Sequence, residues 1–196
     1  MTLSRLFFVT LLSLTLWTNP LQAAESLPIH NQWGGNFTLT DHHGLEVNLS
    51  DFQNKVILLS FGYTHCPDIC PNTLFLLRGV LREIDESSEN IQVLFITLDP
   101  ERDYPERLKT FVEYFDPTFI ALTGALAQIQ AVAKSYGMKF KKEYYGDKSE
   151  LEYSVAHSNV IYLLDQKQRV RKFFKLNAPA KLIAQDIQQL LSTNSK

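Results

Sequence analysis

The sequence contains very little cysteine: Cys66 and Cys70 are the only two among 196 residues. Two cysteines are too few for the disulfide framework that holds small secreted domains together. An excess of one charge is also missing, since 19 Lys and Arg face 21 Asp and Glu, which argues against nucleic acid as a partner. With 45% hydrophobic residues and only eight Gly and eight Pro, the chain is expected to form one folded domain with its own core.

Long hydrophobic runs are lacking as well, apart from residues 6–17 near the start of the sequence. This run follows Arg5, precedes Pro20 and the small residues Ala23 and Ala24, and is shorter than the about 20 residues that a membrane span needs. The pattern predicts a signal peptide at 1–24, cleaved after Ala23 or Ala24. We expect an exported, periplasmic protein, with membrane anchoring by an uncleaved N-terminus as the less favoured alternative.

Residues 25–33 are interpreted as a lead-in to a single domain at 34–193, in which strands and helices alternate. The pattern predicts hairpin strands at 37–40 and 45–48, single strands at 56–63, 91–98 and 119–122, a second hairpin at 160–164 and 170–174, and helices at 71–86, 105–115, 126–137 and 179–191. Runs with period two or continuous hydrophobicity indicate strands, and apolar residues at a spacing of three to four indicate helices. This order predicts an α/β three-layer sandwich with a mixed central sheet and an N-terminal hairpin.

The two cysteines lie where the strand at 56–63 meets the helix at 71–86. A helix N-terminus favours the thiolate, which is both the nucleophilic and the metal-binding form. A Cys66–Cys70 disulfide would close only five residues and contribute about 2 kcal/mol, compared with about 3 for 15 residues. This favours a reversible disulfide or a metal site over a structural bridge or two buried structural cysteines.

A metal site needs a further ligand, and His157 is the best candidate. The other histidines lie next to Cys66 (His65), in the predicted turn (His42 and His43, expected to be solvated) and in the lead-in (His30). His157 is placed at the start of a strand running to residue 164. Two thiolates and one imidazole are a soft ligand set that suits Cu(I), whereas structural zinc usually takes four ligands.

Residues 61–71, Phe-Gly-Tyr-Thr-His-Cys-Pro-Asp-Ile-Cys-Pro, closely resemble the cysteine motif of the Sco/SenC family of copper-binding, thioredoxin-like proteins. Segments 99–106, 122–124 and 153–158 are similar to three further motifs of that family. The resemblance implies a thioredoxin-like fold, with Cys66, Cys70 and His157 as ligands of Cu(I) or Cu(II). It also implies a role in assembling the copper site of a cytochrome c oxidase subunit, as a metallochaperone, as a thiol reductant of the recipient's cysteines, or as both.

The sequence departs from the family pattern at three positions. Asn54 stands where Gly is common, and Asn also tolerates a positive φ. Ala156 stands where the family usually has Asp before the histidine, which affects the surroundings of the ligand and the choice of partner rather than ligation. Tyr104 stands where Thr is common, and Asp103 is expected to replace it as a helix cap. An ion pair of Arg102 with Asp99 or Asp103 is expected next to that position, with docking to a partner as the alternative role of these charged residues.

The alternative function is that of an exported thiol–disulfide oxidoreductase, which would make the chain an enzyme. Thioredoxin-like redox enzymes carry C-x-x-C facing a cis-proline, whereas this chain has C-x-x-x-C and a histidine in the facing segment, so metal binding is favoured. The expected partners are the copper-site subunit of cytochrome c oxidase and other periplasmic copper or thiol carriers. We expect a monomer that binds no nucleic acid.

Overall fold

The computed structural model describes residues 26–84, 89–145 and 153–193; the predicted signal peptide lies outside them. The described strands are β1 (Thr38–Asp41), β2 (Glu46–Asn48), β3 (Val56–Gly62), β4 (Ile91–Thr97), β5 (Ile120–Thr123), β6 (Phe140–Tyr144), β7 (Tyr153–His157), β8 (Ile161–Leu164) and β9 (Val170–Phe174). Seven of them form one sheet in the order β2-β1-β5-β4-β3-β8-β9, and β6 and β7 form a separate two-stranded sheet. The main sheet is mixed, because β3, β4 and β5 are parallel while β8 and β1 pair antiparallel with its central strands.

The α-helices of the described residues cover the main sheet: α1 (Ile69–Ile84), α2 (Pro105–Phe115), α3 (Leu126–Ser135) and α4 (Ala180–Thr193). Phe95 of β4 packs against Phe111 of α2, whereas Phe61 of β3 packs against Tyr136, which directly follows α3. Phe61 is paired with Ile96, the neighbour of Phe95, so the two aromatic side chains point to opposite faces of the sheet. The helices therefore lie on both faces, and the three-layer mixed α/β sandwich predicted from the sequence is confirmed.

Burial explains why the central strands were readily predicted. Every residue of β3 and β4 is buried, as expected for parallel strands covered by helices on both faces. The hairpin β1–β2 turns through Gly44 at a φ of +80°, and α3 is followed by Gly137 at a φ of +68°, conformations that glycine adopts readily. Asn54 takes a φ of +70°, which its short polar side chain tolerates.

Two parts of the sequence prediction need correction. Strand β6 was not predicted, because its central residues Lys141, Lys142 and Glu143 are polar and much of the strand is exposed. His157 does not begin the strand that leads to residue 164; it ends β7, and β8 starts only at Ile161. Among the described helices, none is long and apolar enough to cross a membrane.

Candidate metal site

The two cysteines come from the junction of β3 and α1. Cys70 lies in the first turn of α1 and is buried, whereas Cys66 lies in the preceding loop and is half-buried. Both thiols are free. The carboxyl ends of parallel strands are the usual place for ligands in open α/β sheets, and β3 delivers both sulfur atoms to this edge.

The environment makes the two thiols chemically different. A hydrogen bond from Cys70 lowers the pKa of Cys66 to about 5, and the main-chain N–H groups of Asp68, Ile69 and Cys70 act in the same direction against the effect of burial. The same interaction with Cys66, together with burial, raises the pKa of Cys70. Cys66 is therefore a thiolate at neutral pH, as expected for a sulfur atom at a helix N-terminus.

Gly62 leaves the space that the buried sulfur atom occupies. A Cβ atom at this position would lie 2.7 Å from Sγ of Cys70 and 2.7 Å from Cε2 of Phe95. These distances are well inside van der Waals contact. The last residue of β3 must therefore lack a side chain for Cys70 to reach its place.

His157 brings an imidazole to the cysteines from the separate β6–β7 pair. Its Nε2 atom lies 3.9 Å from Sγ of Cys70, and its Nδ1 atom lies 2.8 Å from the carbonyl oxygen of Val155. A carbonyl oxygen only accepts hydrogen bonds, so Nδ1 carries the proton and the Nε2 lone pair faces Cys70. The ring of Tyr63 packs edge-on against the imidazole, at 5.9 Å between centroids.

The chemistry and spacing of Cys70 and His157 fit a metal ion that both of them contact. Metal–sulfur bonds of about 2.3 Å and metal–nitrogen bonds of about 2.0 Å, as in zinc sites, let one ion contact two such atoms up to about 4.3 Å apart. The distance of 3.9 Å between Cys70 and His157 is within this limit. An Nδ1–H group bonded to a main-chain carbonyl is also the usual arrangement behind a ligating histidine.

A buried carboxylate fixes the loop that carries Cys66. Asp103 accepts hydrogen bonds from the main-chain N–H of Thr64 (3.0 Å), from the hydroxyl of Thr64 (2.5 Å) and from the hydroxyl of Thr97 (2.7 Å). Burial raises the pKa of Asp103, although these hydrogen bonds oppose the shift. The prediction that Asp103 caps α2 is therefore wrong: Tyr104 holds the N-cap position without a side-chain hydrogen bond, and Asp103 is used by the cysteine loop.

The expected ion pair of Arg102 is formed with Asp99, at 2.5 Å between Nε and Oδ2. The sequence interpretation missed that Tyr153 joins this ion pair: the hydroxyl of Tyr153 donates to Oδ1 of Asp99 at 2.6 Å. Tyr153 lies in segment 153–158, in which the sequence suggested a role for His157 alone. An aromatic residue two positions before the buried Val155 in an alternating strand was the available signal for a buried side chain.

His65, His42 and His43 have other surroundings. His65 lies 3.9 Å from Oδ1 of Asp103. His42 was expected to be a solvated turn residue, but it is buried, and its Nδ1 atom accepts a hydrogen bond from the N–H of Ala121 at 3.0 Å. His43 is exposed, as expected.

Among the described residues, two groups of three side chains have ligand atoms within 4.8 Å of one another: His42, His43 and Glu113, and His65, Asp99 and Asp103. Cys66, Cys70 and His157 do not form such a group. In the first group the Nδ1 lone pair of His42 is already used by Ala121. In the second group both carboxylates already accept hydrogen bonds within the fold. The cysteine–histidine site has a stronger claim to a metal ion, because its imidazole nitrogen has a lone pair directed at a thiol.

Two thiols at a helix N-terminus, on the edge of a thioredoxin-like sheet and facing a histidine, define a class of small domains that carry out thiol chemistry or bind metals. The sequence model of the SCO1/SenC family matches residues 26–192. The chain therefore belongs to the SCO1/SenC family, and the resemblance seen in the cysteine and histidine motifs is confirmed.

Individual relatives agree with this assignment. Protein sco1 of Schizosaccharomyces pombe is 34% identical over 157 residues, which cover 80% of this chain and 60% of that protein, so the chain spans less than two thirds of its length. The SCO2-like protein RP587 of Rickettsia prowazekii is 37% identical over 150 residues, covering 76% of this chain and 73% of the relative. The structure of Bradyrhizobium japonicum ScoI with copper bound is 37% identical, covers 81% of this chain and 99% of that chain, and superposes with a TM-score of 0.74.

Proposed function

We propose that the chain binds one copper ion through Cys66, Cys70 and His157 and acts as a metallochaperone in the maturation of the copper site of cytochrome c oxidase. The proposal draws its metal from the soft ligand set and from the copper-bound ScoI of the same family. The protein that receives the copper is inferred from the role that the family resemblance implies. The observation that carries it is the Nε2 lone pair of His157, which is directed at Sγ of Cys70 across 3.9 Å.

Each ligand has a separate part in this function. The Cys66 thiolate is half-buried and binds the incoming ion first, while the buried Cys70 gives up its proton when copper binds. His157 adds a neutral nitrogen, which extends the site from Cu(I), for which two thiolates suffice, to Cu(II). Binding needs reduced thiols, so the disulfide form is expected to bind copper poorly.

The experiment that tests the copper site is X-ray absorption on the copper-loaded wild type and the His157→Ala variant. We expect one copper per chain with two sulfur ligands and one nitrogen ligand in the wild type. His157→Ala is expected to retain Cu(I) on two sulfurs and to lose Cu(II). Replacing either cysteine by alanine is expected to abolish tight Cu(I) binding.

His65→Ala is the matched control, because it removes an imidazole that adjoins Cys66 in sequence and lies next to Asp103. Its coordination sphere is expected to equal that of the wild type. An unchanged sphere in His157→Ala together with a nitrogen ligand lost in His65→Ala would contradict the proposal and assign the imidazole to His65.

The second candidate is a thiol–disulfide oxidoreductase that reduces the recipient's cysteines. The observation in its favour is the asymmetric pair of thiols, since a half-buried thiolate with a pKa of about 5 beside a buried thiol suits an attacking and a resolving cysteine. This function does not need His157. Full activity of His157→Ala in reducing a disulfide peptide, combined with weak copper binding by the wild type, would favour it.

The location follows from the same proposal. We propose that residues 1–24 export the chain to the periplasm and are then removed, so that it meets the copper-site subunit and other copper or thiol carriers there. Mass spectrometry of the mature protein tests this step. A mature mass that still includes residues 1–23 would contradict cleavage and favour anchoring by the uncleaved N-terminus.

A further inference from the structure

The β6–β7 pair carries His157 but forms a sheet of its own, separate from the seven-stranded sheet. Its position relative to the cysteines must therefore be set by contacts other than main-sheet hydrogen bonds. Tyr153 and Val155 are the buried residues of β7. Of these two, Tyr153 makes polar contacts with the segment that follows β4.

Three side chains meet in this contact, which we name the Asp99–Arg102–Tyr153 cluster. The hydroxyl of Tyr153 donates to Oδ1 of Asp99 at 2.6 Å, and Nε of Arg102 donates to Oδ2 of the same carboxylate at 2.5 Å. The Arg102 guanidinium lies 3.6 Å above the ring of Tyr153, and its Nη1 atom donates to the Tyr153 carbonyl oxygen at 3.1 Å. Arg102 thus holds both the ring and the main chain of β7.

A neighbouring pair strengthens the same contact from β6. The ammonium group of Lys142 lies 4.4 Å from the ring centre of Tyr153 and forms an ion pair with Glu101 at 2.5 Å. This pair is more exposed than the cluster and contributes less. Both strands of the pair are therefore tied to residues 99–102.

The cluster is also connected to the cysteine loop. The main-chain N–H of Asp99 donates to the hydroxyl of Thr97 at 2.9 Å, and that hydroxyl donates to Asp103 at 2.7 Å. Asp103 in turn accepts the N–H of Thr64, two residues before Cys66. A continuous series of buried and partly buried hydrogen bonds therefore joins the strand of His157 to the loop of Cys66.

We propose that Asp99, Arg102 and Tyr153 are positioning residues for copper coordination: they hold β7 so that Nε2 of His157 faces the cysteines. The inference rests on the proposed function and adds the residues that set its third ligand. Tyr153 is four residues before His157 on the same strand, about 13 Å of extended chain. Loosening the cluster releases the nitrogen ligand and leaves the two sulfur ligands, which belong to the loop and α1, in place.

The test compares two tyrosine variants that each lose one buried hydroxyl. Tyr153→Phe removes the hydrogen bond to Asp99 and keeps the ring under Arg102. Tyr162→Phe is the matched control, because its hydroxyl donates to the carbonyl oxygen of Tyr136 at 2.9 Å within the main fold. For Tyr153→Phe we expect Cu(II) affinity to fall about tenfold, the usual effect of losing a group behind a ligand, and nitrogen splitting in the electron paramagnetic resonance spectrum to weaken.

Cu(I) affinity, which two thiolates sustain, is expected to change much less in Tyr153→Phe, and Tyr162→Phe is expected to match the wild type for both ions. In a His157→Ala background, Tyr153→Phe is expected to have no additional effect on copper binding. An equal loss of Cu(I) and Cu(II) affinity, or a further loss in that background, would overturn the proposal, because Tyr153 would then not act through His157.

A second measurement needs no metal. In the reduced, metal-free protein, Tyr153→Phe is expected to speed amide hydrogen exchange in β6 and β7 by about tenfold, as the loss of a buried hydrogen bond predicts, and to leave β3 and β4 unchanged. Unchanged exchange in β7 would overturn the positioning role. A wild type that binds no copper would instead overturn the proposed function, and the exchange result would still decide whether the cluster holds His157.

Discussion

The imidazole of His157 meets the thiol of Cys70 across 3.9 Å, although 87 positions separate the two residues in the chain. One residue lies in the first turn of α1 and the other ends a strand outside the main sheet. The site therefore exists only in the folded domain. The following predictions concern the groups that shape it.

Gly62→Ala is expected to destabilise the protein by about 1–3 kcal/mol, as overpacking of a tight core does, and to lower copper binding. The new methyl group would lie 2.7 Å from both Sγ of Cys70 and a ring atom of Phe95. Gly79→Ala in α1 is the control, because the nearest atom to its new methyl group is 3.8 Å away. Alanine at this helical position is expected to stabilise by about 0.5–1 kcal/mol. Urea unfolding that gave both variants the same sign would contradict this account.

The alkylation rate of Cys66 is expected to rise through a pH of about 5 and then level off, because only the thiolate reacts. Cys70, with a raised pKa and a buried sulfur, is expected to stay unmodified at neutral pH. Cys70→Ala removes the hydrogen bond to Cys66 and is expected to move the midpoint upward. Mass spectrometry of iodoacetamide-treated protein over a pH series measures all three. A midpoint of Cys66 near its ordinary pKa would show that the hydrogen bond does not form.

The Cys66–Cys70 disulfide is expected to form reversibly and to change stability little, because the five-residue loop it closes is worth about 2 kcal/mol. Thermal unfolding of the oxidised and reduced forms measures the difference. A reduced form that is unfolded at room temperature would make the bond structural.

His42 is expected to make stability fall in mild acid. Burial, followed by the charge of His43, lowers its pKa in the folded state, so below the ordinary value of about 6.5 the unfolded chain takes up more protons. The stability provided by neutral His42 is thus present above that value and is lost as pH falls through the lowered folded pKa. His42→Asn keeps an acceptor near Ala121 and is expected to flatten the dependence, as seen by urea unfolding at a series of pH values. His43→Asn is expected to retain most of this dependence of stability on pH.

The parts of the fold that sequence predicts well are those in which burial follows the chain's own periodicity. β3 and β4 are continuous apolar runs, and the apolar spacing around Leu74 and Leu77 predicts the buried face of α1. β6 has no such pattern, because its partner is β7 alone and Lys141 and Glu143 are exposed. Because β6 was not predicted, His157 was assigned to the start of the strand after β7 instead of to the end of β7.

The candidate site was predictable to a similar extent. The position of Cys66 and Cys70 at a strand–helix junction follows from the sequence, because both flanking elements have strong local patterns. The hydrogen bond from Tyr153 to Asp99 spans 54 positions and depends on how the β6–β7 pair lies against the main domain. The burial of His42 likewise depends on β5, which pairs with β1, and the hydrogen bond from Ala121 to His42 spans 79 positions of sequence. Contacts of this kind have no periodic trace in the chain.

The separation of the β6–β7 pair from the main sheet has a consequence for synthesis and export. The chain emerges from its N-terminus, so β3, α1 and both thiols are complete before His157 has been made. If the chain is exported to the periplasm as we propose, Cys66 and Cys70 lie close together during that interval without the imidazole, in a compartment that oxidises neighbouring thiols. We therefore expect the newly exported chain to form the Cys66–Cys70 disulfide before it can bind copper through three ligands. Reduction of this disulfide by another thiol carrier would then have to precede copper binding.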